Sequence, residues 1–119
     1  MSTDGSRLRI QNQGGVTVVG FLDRNILDEA NIQSIGEEIS ELVDRGPAPK
    51  LLISFENVEH LSSAALGTLI SINNKVRNRS GELRLADIDP QIYEVFVITR
   101  LNNLFSIHDT TDEALGSFG

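Results

Sequence analysis

The stretch "KLLISFENVEHLSSAALG", residues 50–67, changes its period in the middle. Lys50 to Phe55 is a nearly continuous apolar run, the pattern of a strand covered on both faces in a parallel sheet. From Ser63 or Ala64 to about Arg79 the apolar positions Leu66, Leu69, Ile70 and Val76 follow a helix instead. Arg77 and Arg79 fall in its last turn, where cations complement the helix dipole, and Gly81 is the expected stop. A buried strand feeding directly into a helix is half of a crossover unit, and it sets the expectation of an α/β fold.

The segments on either side extend the alternation. Upstream, "LRIQN" from Leu8 and "VTVVGF" from Val16 are β-type stretches separated by "QGG", a tight-turn sequence, so they are expected to pair antiparallel. About Asp28 to Val43 places Ile32, Ile35, Ile39 and Leu42 at helical spacing among Glu37, Glu38, Glu41 and Asp44. This is an amphipathic helix lying on a sheet, ended by "RGPAP". Downstream, "ELRLAD" predicts a strand. "DPQIYEVFVITRL" predicts a helix capped by Asp89 with Pro90 at its first position. "FSIHD" predicts a short strand, and Thr110 with Glu113 forms a capping-box pattern for a last helix ending near Phe118. The predicted fold class is α/β, a mixed and mostly parallel sheet of four to five strands with about four packed helices.

With 119 residues the chain fits one domain, 1–119, with its core over about 8–118. Ten Lys and Arg against seventeen Asp and Glu give a net charge of −7, which repels a phosphate backbone, so direct nucleic-acid binding is not expected. No apolar run approaches the ~18 residues of a membrane span, and the N-terminal sequence carries no secretory pattern, which points to the cytoplasm. The chain has no cysteine, which removes disulfides, thiolate nucleophiles and cysteine metal sites. His60 and His108 lie far apart without ligand spacing, so no metal site is expected. No cofactor fingerprint and no nucleophile with a nearby base is readable, which speaks against an enzyme.

The serine pair Ser62–Ser63 stands where the strand segment runs into the helix. Ser62 is suited to cap the helix through its hydroxyl, with Leu61 and Leu66 at the positions of a hydrophobic staple. A phosphate at this place would meet free N–H groups and the positive end of the helix, and would add about −1.5 to −2 charge to the surface.

Two motifs carry a resemblance. "GFLD" at Gly20 to Asp23 resembles the GxLD that follows the second strand of STAS domains, and "LLISFENVEHLSSAALG" resembles their strand followed by a DSSGLG helix start. The resemblance runs from about Val16 to Phe118 and is to the small stand-alone anti-sigma factor antagonists. It implies a partner switch. The unphosphorylated antagonist binds an anti-sigma factor that is also a serine kinase of the histidine-kinase-like ATPase type, and phosphorylation at the helix start ends the interaction. A serine phosphatase resets it. The catalytic machinery then lies in the partner, so this chain is expected to be a substrate and not an enzyme.

Aligned this way, Ser62 stands where the family has Asp, Ser63 matches the first family serine, and Ala64 occupies the usual acceptor position. The implied phosphorylation sites are Ser63 first and Ser62 second. The implied partner-binding set is Asp23, His60, Ser62, Ser63 and Ala64, with Asp23 close to the serine turn. Taken alone, "LDRN" reads as a turn, and His60 as a solvated loop residue. Two other roles stay open: a scaffold or adaptor that is never phosphorylated, and a small subunit of a lipid-transport complex.

Overall fold

Gly14 and Gly15 both take positive φ, +58° and +84°, and turn the chain within two residues. They join β1 (Leu8–Gln13) to β2 (Val16–Phe21) in an antiparallel hairpin that runs from Gln13↔Val16 to Leu8↔Phe21. The computed structural model describes residues 8–22, 25–26, 29–46 and 48–118. After β3 (Asn25–Ile26) come α1 (Glu29–Asp44), β4 (Lys50–Ser54), β5 (His60–Leu61) and α2 (Ser63–Asn78). β6 (Glu82–Ala86), α3 (Pro90–Ile98), a 3-10 turn (Leu101–Asn103), β7 (Ser106–His108) and α4 (Thr111–Gly116) complete the chain. The main sheet has the order β1-β2-β4-β6-β7, and every pairing after the hairpin is parallel.

Alternation along the strands divides the core. Val19, Phe21, Leu51, Ile53, Leu83 and Leu85 face α1 and α2, and meet Ile32, Ile35, Ile39 and Val43 of the first helix and Leu66, Leu69, Ile72 and Val76 of the second. Phe21 and Phe55 meet at 5.3 Å between ring centres. α3, the 3-10 turn and the residue before β7 reach the same core through Ile92 and Phe96, Leu101, and Phe105 respectively. The opposite face is thinly covered. Val16, Val18, Leu52 and Ala86 pack there on Ala114, Leu115 and Phe118. α4 is only six residues long, and the hairpin side of that face carries the exposed side chains of Arg9, Gln11 and Gln13.

The expected order of elements is observed, with three differences beside one expectation that falls outside the described residues. Helix α1 is described from Glu29; Asp28, the expected first residue, lies outside the described residues. The stop of α2 is not Gly81 itself. Ser80 takes the left-handed conformation, φ +59°, while the Ser80 amide donates to the Arg77 carbonyl (3.0 Å) and the Gly81 amide to that of Val76 (2.9 Å). This is the double hydrogen-bond closure of a Schellman motif, and here a serine fills the position glycine favours. Asp87, expected to end β6, has instead left the strand at φ +60°. Finally, β3 and β5 form a two-residue parallel pair that no periodicity announced. No helix among the described residues is long and apolar enough to cross a membrane.

Candidate partner-binding site at the start of the second helix

The serine pair is held on a short, framed segment. Phe55 and Val58 are buried, and the Val58 amide donates to the Phe55 carbonyl at 3.0 Å, which turns the chain after β4. The next two residues, His60 and Leu61, pair in parallel with Asn25 and Ile26. Ser62 then caps α2: at φ −82°, ψ 164° its Oγ accepts from the Ala65 amide at 3.2 Å, and its carbonyl accepts from the Leu66 amide at 3.2 Å. Leu61 is half-buried against the core that holds Leu66, consistent with the staple expected of them.

Ser63 and Ala64, the first two residues of the helix, are both exposed. Their amides have no partner among the described residues, and the first turn carries no acidic side chain. The positive end of the dipole therefore faces solvent beside the Ser63 hydroxyl. A group of negative charge attached to Ser63 would sit where the helix attracts it.

Of the residues expected to form the site, His60, Ser62, Ser63 and Ala64 come together within this one turn. Asp23 lies outside the described residues. Two positions on, Asn25 is paired with His60. A cleft of about 430 Å³ runs between Glu59 and His60 on one side and Asp89, Pro90 and Gln91 on the other. Asp89 caps α3, its Oδ1 accepting from the Gln91 amide at 2.8 Å, and Pro90 opens the helix as expected. The sequence marked this start only as a cap; that it forms the far wall of the serine turn depends on packing. Tyr93 is 40% exposed on α3 whereas Phe96 is fully buried, so the first stands at the rim and the second in the core.

The STAS domain model matches residues 8–114, nearly the whole of this architecture. The chain belongs to the STAS domain family. Among curated relatives, the anti-sigma F factor antagonist of Paenibacillus polymyxa is 21% identical over 112 residues, 92% of each chain. Among solved structures, an anti-sigma-factor antagonist STAS domain protein from Planctomyces limnophilus superposes with a TM-score of 0.83 at 23% identity, over 92% of this chain and 95% of that one. The Bacillus cell fate determinant SpoIIAA in its phosphorylated form superposes with a TM-score of 0.70 at 17% identity, over 92% and 96%. At these identities the superpositions establish a common STAS fold.

Proposed function

We propose that this STAS protein is an anti-sigma factor antagonist that docks an anti-sigma factor through the start of α2 and is released when Ser63 is phosphorylated. The observation that carries this proposal is the division of labour in the serine pair. Ser62 Oγ accepts from the Ala65 amide at 3.2 Å, while Ser63 is exposed at the first helical position and free of that role. Ala64, at the position where the family's acceptor stands, has no hydroxyl to modify. The name of the Paenibacillus polymyxa relative supports the antagonist role.

A phosphate on Ser63 lies over the free N–H groups of the first turn, so the fold tolerates it. For a partner that packs on this turn the same phosphate is bulk and about −1.5 to −2 charge at the centre of the interface. The phosphoryl-transfer machinery belongs to the partner, an anti-sigma factor with serine kinase activity of the histidine-kinase-like ATPase type, and a serine phosphatase restores the binding form. This chain is the substrate of that cycle and works where its partner does, in the cytoplasm.

The test is phosphosite mapping of the protein purified from its own cells, followed by binding to the kinase-type anti-sigma factors of the same genome. Phosphate is expected on Ser63. Ser63→Asp is expected to weaken binding at least tenfold, about 1.4 kcal/mol, with an unchanged circular dichroism spectrum. Binding that persists unchanged in Ser63→Asp, in a chain that is never phosphorylated, would leave a constitutive adaptor.

A further inference from the structure

The sheet face opposite α1 and α2 holds a cavity of about 390 Å³ that none of the serine-turn residues lines. That volume lies within the range of about 300–1,000 Å³ of small-molecule sites. Its floor is one transverse row of the sheet. Arg9 on β1 stands opposite Gly20 on β2, Gly20 opposite Ser54 on β4, and Ser54 opposite Ala86 on β6, with Asp87 following. Strands lie about 4.8 Å apart, so Arg9 and Ser54 are separated by roughly 10 Å with only a glycine between them.

Gly20 has no steric or conformational reason to be glycine. Its φ is not positive, and an added Cβ would meet nothing nearer than the Arg9 carbonyl oxygen at 3.9 Å. Glycine weakens a strand interior, and where the backbone does not require it the open space above it is what it provides. At one end of that space stands Asp87, partly buried and in the left-handed conformation that non-glycine residues rarely adopt. Its Oδ2 accepts from both Ser54 Oγ and Thr111 Oγ1, and its Oδ1 has no partner among the described residues. At the other end Arg9 makes no ion pair with any described residue. Glu56 and Asp112 complete the rim, so one cation faces three carboxylates.

A ligand complementary to this row carries an N–H-rich cationic head for Asp87 Oδ1 and a carboxylate for Arg9; in a free amino acid the α-ammonium adds a second positive charge among Glu56 and Asp112. We propose that the cavity binds a basic amino acid, either free or as the C-terminal residue of a peptide, with its side-chain head on Asp87 and its carboxylate on Arg9. This site is independent of the serine turn and does not rest on the proposed antagonist role.

The experiment is an amide NMR titration of the intact protein with L-arginine, Nα-acetyl-L-arginine and agmatine, which keeps the guanidinium but lacks the carboxylate. Saturable shifts are expected at Arg9, Gly20, Ser54 and Thr111, with agmatine at least about tenfold weaker. Binding of L-arginine assigns the free amino acid, and binding of the acetylated form alone assigns a peptide C-terminus. Gly20→Val, which fills the floor, should abolish the shifts. Arg9→Gln, an exposed substitution that leaves the core untouched, should make agmatine and L-arginine equal. The proposal is overturned if neither arginine compound gives saturable shifts, if agmatine binds as well as they do to the unaltered protein, or if folded Gly20→Val titrates like it.

Discussion

The Oγ of Ser62 is held 3.2 Å from the amide of Ala65, so of two adjacent serines the first is bound into the helix end and the second stands outside it. The two hydroxyls therefore answer to different measurements. Ser62→Ala removes the cap and is expected to cost about 1 kcal/mol, a fall of roughly 4 °C in thermal midpoint. Ser63→Ala removes an exposed hydroxyl and should stay within about 0.5 kcal/mol of the parent protein. Equal losses in the two variants, measured by thermal unfolding, would contradict the assignment of Ser62 as the cap.

At the other end of α2 the chain is closed by a contact that only glycine permits. A Cβ on Gly81 would lie 2.3 Å from the Pro49 carbonyl oxygen and 2.8 Å from its ring carbons. The Pro49 oxygen also accepts from the Glu82 amide at 2.8 Å, and the Ala48 amide donates to Arg79 at 3.1 Å, so neither segment can withdraw cheaply. Gly81→Ala is expected to lose about 3 kcal/mol in urea unfolding. Ser80→Gly, which relieves a left-handed serine, should gain about 1 kcal/mol. An unstable Ser80→Gly would show that the serine side chain supports the turn.

These two helix ends illustrate how much the sequence could disclose. Ser62, Asp89 and Thr110 were legible as caps because capping is local chemistry: each accepts from an amide two or three residues on. Thr110 accepts from the Glu113 amide at 3.1 Å, although the reciprocal bond of a full capping box is not made among the described residues. Gly81 was expected to be the stop, but Ser80 takes the left-handed position, and what requires a glycine at 81 is Pro49, thirty-two positions earlier in the chain. The strand run Leu51–Ile53 announced burial on both faces, and the three residues are at most 2% exposed. The pair Asn25–Ile26 with His60–Leu61 was invisible, because two residues carry no period and tertiary contact alone aligns them. Asp87 was hidden for the same reason: its hydroxyl partners lie 33 and 24 positions away.

The packing of α1 on α2 gives a sharper test, because two opposing effects meet at one residue. Gly36 is interior to α1, where alanine would favour the helix by about 1 kcal/mol. A Cβ there would come 2.8 Å from the Cγ2 methyl of Thr68. The clash is expected to win, and Gly36→Ala should be destabilised by about 1 kcal/mol. Thr68→Ser removes that methyl, so the double variant Gly36→Ala with Thr68→Ser should recover the loss. A double-mutant cycle should give a coupling of at least about 1 kcal/mol. Additive effects would mean that the helices separate to admit the extra carbon.

Asp87 joins two hydroxyls on one carboxylate oxygen, Ser54 from β4 at 2.8 Å and Thr111 from the start of α4. Ser54 is 9% exposed, so its hydroxyl has little access to water once that acceptor is gone. Asp87→Ala leaves the buried hydroxyl unsatisfied and places alanine at φ +60°, and together these should cost about 3 kcal/mol. Asp87→Asn keeps an acceptor oxygen and tolerates the left-handed backbone, so it should lose only about 1 kcal/mol. The order of the two variants follows from the hydrogen bonds rather than from charge. α4 is tied to the sheet at this point, so amide exchange in Thr111–Gly116 should quicken in Asp87→Ala before exchange in α2 changes. Uniform quickening across both helices would show that Asp87 supports the whole fold and not the attachment of α4.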